Sequence, residues 1–169
     1  YYSNGDSTMS SLQVDSISSM GGGHVDGAGK VVQYVETSDA DVPNYISITS
    51  SSFVPVGITL SITPKFIGSK ICVDYKGSMG FVAGGAGREA MTMTIFESGV
   101  QVLGDYGLGY LEAVDLPLYA PIGGGGIFTT TNLNPLEFAV YFKKDAGSQA
   151  SYAVYQKSSY VLSATEVAQ

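Results

Sequence analysis

Tryptophan is absent from this 169-residue chain, and cysteine, histidine and arginine occur once each, as Cys72, His24 and Arg88. A single cysteine excludes an internal disulfide framework. With one histidine and one cysteine, no zinc site of ordinary composition can form within one chain. Nucleophile schemes of the triad kind lack a second histidine, and no G-x-S-x-G elbow is present. Charged residues make up 14% of the chain, well below the roughly one quarter usual for globular domains. Fifteen acids oppose eight bases, giving a net charge of −7. Only Lys143 and Lys144 are adjacent bases, so the clustered basic face that neutralises phosphates is missing. That sets nucleic acid aside as a partner and disfavours an anionic membrane surface. No apolar run approaches the roughly 18 residues of a spanning helix, and no secretory leader pattern is visible.

What is abundant points to strands. Twenty-two glycines stand among many serines and threonines, a composition suited to turns and sheets. In Gly57–Gly77, GITLSITPKFIGSKICVDYKG, residues Ile58, Leu60 and Ile62 alternate with Thr59, Ser61 and Thr63. Period-2 alternation places the apolar set on one face of a strand. Pro64 cannot donate to a ladder and ends that strand, Gly68 and Ser69 permit the return, and Ile71, Val73 and Tyr75 resume the alternation. Cys72 reads as a sheet residue within it.

The same reading predicts strands at Val31–Thr37, Tyr45–Ser50, Ser52–Val56, Ile58–Thr63, Lys70–Met79, Ala90–Glu97, Val100–Leu103, Val114–Tyr119, Leu136–Lys143, Gln149–Gln156 and Ser159–Val167. FESGVQV predicts a tight hairpin about Ser98-Gly99. Gly104–Ala113 reads as a long loop, and Gly123–Gly126 as a flexible one. No helical period is sustained. Many short strands at regular spacing indicate an all-β fold, an antiparallel β-sandwich or jelly roll. Residues 31–169 form the sandwich head. Residues 1–30, rich in Ser and Gly, form an extended arm in which only Leu12–Ile17, LQVDSI, alternates. The expected core is Ile58, Leu60, Ile62, Ile71, Val73, Met91, Met93, Ile95, Phe138, Val140 and Val154.

Candidate chemistry is sparse. His24 lies in GGGHVDG, without neighbours to fix its tautomer, and reads as a solvated arm residue. Gly123–Gly126 is followed by Ile127 where a phosphate loop needs Lys and Ser/Thr. Asp39 and Asp41 lack the remaining ligands of a calcium loop. Asp105, Glu112 and Asp115 are the only carboxylates placed to serve as a glycosidase pair, and a hydrated acidic loop explains them as well. No cofactor, metal or catalytic residue is therefore assigned, and the chain is expected not to be an enzyme. Twelve tyrosines are the one enriched contact residue. Tyrosine joins an apolar ring to a polar tip, which suits interfaces and sugar stacking. Tyr141, Tyr152, Tyr155 and Tyr160 alternate along expected strands, in the core or between subunits. Tyr106, Tyr110 and Tyr119 sit in or beside the expected loop and are the candidates for ligand or partner contact.

GKVVQYVET (Gly29–Thr37), SSFVPVGITLSITP (Ser51–Pro64), SKICVDYKGS (Ser69–Ser78), TIFESGV (Thr94–Val100) and the ending LSATEVAQ (Leu162–Gln169) resemble a module of tailed-phage virion proteins. It is abundant in phages of cyanobacteria and other aquatic hosts and is usually described as tail-fibre or structural. The resemblance covers residues 29–169, with 104–133 poorly matched. MSSLQVDSI (Met9–Ile17) also resembles the opening of such proteins, which implies a native start near Met9. The motif is a fold-and-turn signature with no catalytic residues to transfer. It implies a β-sandwich head, assembled as a homotrimer on the virion surface. The head would decorate the capsid or tip a fibre, held to other virion proteins by the arm. A tail-fibre adhesin contacting host surface glycan is the alternative, and a glycan depolymerase a third, enzymatic, reading.

Overall fold

The computed structural model describes residues 29–39, 46–81, 88–104, 107–114, 118–147, 151–154 and 159–169. All described secondary structure is β, in eleven strands. These are β1 (Val31–Asp39), β2 (Ile46–Ile48), β3 (Val54–Ile62), β4 (Lys70–Phe81), β5 (Arg88–Glu97), β6 (Val100–Gln101), β7 (Gly109–Val114), β8 (Leu118–Thr129), β9 (Leu136–Ala146), β10 (Ser151–Val154) and β11 (Tyr160–Val167). They make two antiparallel sheets packed as a β-sandwich.

In sheet A, β4 is the central strand. β8 runs along one side of it for its whole length, while β11 and then β1 follow on the other. β10 and β2 continue the sheet at the far end of β4. Sheet B has the order β3-β9-β5, with β6 and β7 sharing the remaining edge of β5. Alternation sorts the inner faces. Ile71, Val73, Tyr75 and Met79 of β4, with Leu162 and Ala164 of β11, meet Ile58, Leu60 and Ile62 of β3, Met91, Met93 and Ile95 of β5, and Phe138, Val140 and Phe142 of β9. Every residue of the expected core is buried except Val154, whose side chain lies outside the described residues. The core ends in polar pairs: Lys144 Nζ lies 3.3 Å from Glu89 Oε2, both side chains nearly buried.

Four expectations are corrected. Ser52–Val56 and Ile58–Thr63 are one strand, β3, in which Gly57 at φ +80° takes up a register shift between Pro55 and Thr59. The loop expected over Gly104–Ala113 contains β7, where Leu111 and Ala113 face inward and Tyr110, Glu112 and Val114 outward. The strand expected at Val114–Tyr119 is divided: Val114 ends β7 and Leu118 opens β8. Gly123–Gly126 is no loop but the middle of β8, paired residue by residue with Val73–Lys76. Glycine has little strand preference of its own; the paired backbone of β4 supplies what the side chains do not. A Cβ at Gly125 would collide with the Val73 carbonyl oxygen, so β4 and β8 approach as only glycine allows. The Ser98-Gly99 hairpin is as expected, with φ +48° and +83° at its two central residues, the sign a type I′ turn requires.

Candidate functional site

The outer face of sheet B gathers polar and aromatic side chains, exposed at Arg88, Tyr110 and Glu112, half-buried at Phe53, Phe96, Tyr141 and Lys143, and buried beneath their neighbours at Thr92 and Thr94. Register decides this. Arg88 lies opposite Val114, Ala90 opposite Glu112 and Thr92 opposite Tyr110, while on the other side of β5 Thr92 is opposite Lys143 and Thr94 opposite Tyr141. One edge of the face carries a closed triad. Arg88 donates from Nε to Glu112 Oε1 at 2.7 Å and from Nη2 to Glu112 Oε2 at 3.0 Å and Tyr110 Oη at 2.9 Å. Tyr110 Oη in turn donates to Glu112 Oε2 at 2.8 Å. The fork of the guanidinium matches the carboxylate, so the pair is bidentate.

Electrostatics follow from that geometry. The hydrogen bonds from Arg88 and then Tyr110 hold the Glu112 carboxyl below the usual carboxylate range. Hydrogen bonding to Glu112 raises Arg88 above its ordinary value. Partial desolvation, followed by the hydrogen bond to Glu112, raises the Tyr110 phenol.

The other half of the face is an aromatic cluster. Phe96 and Tyr141 stack with centroids 3.9 Å apart and planes at 21°, and Phe53 meets Phe96 edge-on at 5.6 Å. Lys143 Nζ sits 4.9 Å from the Phe53 centroid and 2.9 Å from Asp145 Oδ1, and Thr92 Oγ1 donates to Asp145 Oδ2. Triad and cluster meet along the row Tyr110–Thr92–Lys143.

Of the three tyrosines read as contacts, Tyr110 belongs to this face. Tyr119 does not: it lies on the outer face of sheet A, 40% exposed, with its ring over Gly80. The sandwich therefore separates the two residues, and Tyr106 lies outside the described residues. His24, Asp41, Asp105, Asp115, Tyr155 and the side chains of Asp39 and Tyr152 also lie outside them. Tyr160 packs partly buried against the core, and Cys72 is half-buried on the outer side of β4. Among the described residues no group of three or more His, Cys, Asp and Glu is placed to hold a metal. An open cleft of about 340 Å³ at the opposite end, walled by Glu97, Ile127, Thr129, Thr131 and Asn132, brings no such set together either.

Sequence reasoning missed Arg88, Phe53, Phe96 and Lys143 as members of a site. Arg88 and Glu112 are far apart in the chain and meet only through the β5–β7 register. One signal was present: Tyr110, Glu112 and Val114 alternate with Leu111 and Ala113, the pattern of a half-buried strand.

No family model matches this chain, and no curated protein does. Among solved structures, the crystal structure of dimeric latent PorU from Porphyromonas gingivalis is similar at 11% identity and a TM-score of 0.44, over 85% of this chain and 14% of that one.

Proposed function

We propose that this chain is a non-enzymatic structural and contact module on the surface of a tailed-phage virion, assembled as a homotrimer. It decorates the capsid or tips a fibre, with residues 1–30 making the attachment to other virion proteins. The observation that supports the non-enzymatic part is the state of the triad, which removes Glu112 as the proton donor of a glycosidase pair. A glycosidase acid needs a carboxyl whose pKa is raised so that it holds a proton near neutral pH. Glu112 is shifted the other way, and both its oxygens are engaged. Such a cluster is a stiff, preorganised surface rather than a poised acid. The virion assignment rests on the sequence resemblance, whose stretches supply β1, β3, β4, the β5–β6 hairpin and β11. Trimer formation is supported by the low charge and by large apolar residues left on outer positions, among them Val31, Tyr34, Val114 and Ile127.

A tail-fibre adhesin is favoured as a second reading by one feature. The aromatic and charged side chains of the sheet B face form a patch of the kind that packs against sugar rings. Labelled antibody and electron microscopy of intact virions test the assignment: label on heads or fibre tips is expected, and unlabelled particles refute it. Sedimentation equilibrium tests the trimer, for which an interface above about 2,000 Å² is expected; a monomer at micromolar concentration refutes it. Release of reducing sugar from host polysaccharide would overturn the non-enzymatic reading, whereas adsorption to cells without cleavage distinguishes the adhesin.

A further inference from the structure

Among the described residues β8 is bonded to β4 alone, and over Ile122–Thr129 none of them pairs with the N–H and C=O groups of its other edge. Exposed edges of this length are usually blunted by charge, because they template the addition of another strand. β8 carries no charged residue, and its outer face bears Ile127 at 69% exposure. β1, at the opposite edge of the sheet, carries Glu36 and Asp39 and a register shift between Val31 and Gln33. We infer that the segment Leu12–Ile17 of this protein adds as a strand to the free edge of β8, over Ile122–Thr129.

Reach, length and pattern all bear on the occupant. Val31 lies opposite Val167, Val167 opposite Lys70, and Lys70 opposite Thr129, so the chain enters sheet A in the same row that ends β8. That entry is pinned by Gly29 N donating to the Ala168 carbonyl and Ala168 N to the Lys30 carbonyl. Four interstrand steps separate it from a strand added beyond β8, about 19 Å. The eleven residues 18–28 that intervene can span up to about 36 Å. Leu12–Ile17 is the one alternating stretch in residues 1–28, and its six residues fit the edge beyond Pro121. Pro121 cannot donate, which limits pairing to that half of β8. It also weighs against the other ready occupant, β8 of a second copy: antiparallel self-pairing about the strand centre would bring Pro121 into the ladder twice. Leu12 and Val14 share one face of the added strand, which can lie beside Ile127. Residues 1–11 remain for attachment elsewhere. The inference concerns the protein itself and holds wherever it is displayed.

Amide hydrogen exchange on the full chain tests it. The amides of Gly123–Phe128 that point away from β4 are expected to be protected, and Val14→Pro is expected to speed their exchange at least about tenfold. Ser19→Pro, outside the segment, is expected to leave them unchanged, and the amides of β9 are the control for global folding in both variants. A synthetic peptide of residues 10–19 added to the Val14→Pro chain is expected to restore protection. If protection is lost and the mass in sedimentation falls, the strand is exchanged between copies. If it is lost at constant mass, each chain covers its own edge. Equal exchange in the full chain and Val14→Pro overturns the inference.

Discussion

Glu166 is the most informative residue to perturb for stability. It lies on β11, in the inward series Leu162, Ala164, Glu166, and is fully buried. Its Oε1 accepts from Lys65 N at 2.9 Å, Phe66 N at 3.1 Å and Ser69 Oγ at 2.6 Å, and its Oε2 from Gln33 Nε2 at 2.7 Å. One carboxylate thus organises the whole β3–β4 connection and ties it to β1. Ser69 Oγ also reaches the Phe66 carbonyl, and Gln33 also reaches that of Thr63, so these two donors keep an acceptor if Glu166 is removed. The loss falls mainly on the two backbone amides. Hydrogen bonds to a charged group contribute about 1.5–3 kcal/mol each, so Glu166→Ala is expected to cost about 4 kcal/mol. For a domain of this size that lowers Tm by roughly 10 °C. Glu166→Gln keeps the shape but turns one acceptor into a donor aimed at donors, and is expected to cost about 2–3 kcal/mol. Urea denaturation with an unchanged m-value, alongside calorimetry, reads both. An alanine variant within about 1 kcal/mol of the parent would refute the reasoning, because the amides would then be satisfied without the carboxylate.

Tyr75 is buried and its hydroxyl has no hydrogen-bond partner among the described residues, so Tyr75→Phe is expected to leave stability unchanged or raise it by about 1 kcal/mol in urea denaturation. Burial also pushes the Tyr75 phenol well above its ordinary value. Its neutral form is therefore favoured in the folded state, and the associated stability, full below about pH 10, falls as pH rises further; the phenylalanine variant is expected to lose this part of the alkaline decline. Gly125→Ala sets a methyl group against the Val73 carbonyl oxygen and is expected to destabilise by about 2 kcal/mol or more, with chemical-shift changes concentrated in β4 and β8. Ser98→Gly relieves a left-handed non-glycine residue at φ +48° in an exposed hairpin and is expected to raise stability by about 0.5–1 kcal/mol, read as a higher urea midpoint at unchanged m-value.

Period-2 alternation by itself determined the class of fold and most of the inner face. It placed Ile58, Leu60 and Ile62, then Ile71 and Val73, on buried sides, and it set Glu166 in line with Leu162 and Ala164. Turn chemistry at Pro64, Gly68 and Ser98-Gly99 was equally local, because each depends on the φ or the donor of one or two residues. Tertiary structure alone decided what depends on a partner strand. Gly123–Gly126 has no side chains to show a period, and it is a strand because β4 supplies a continuous backbone partner at a distance only glycine tolerates. Arg88, Tyr110 and Glu112 meet because antiparallel pairing of β5 with β7 brings residues 22 and 24 positions apart to one face. Tyr110 and Tyr119, close in sequence, are parted because β7 and β8 belong to different sheets, and each tyrosine points away from the common core. The backbone donors around Glu166, Lys65 N and Phe66 N, come from a connection about 100 residues earlier that folds onto the end of β11. Alternation is a property of one strand and can be read from it; a site is a relation between strands, fixed by register and by which sheet each one joins.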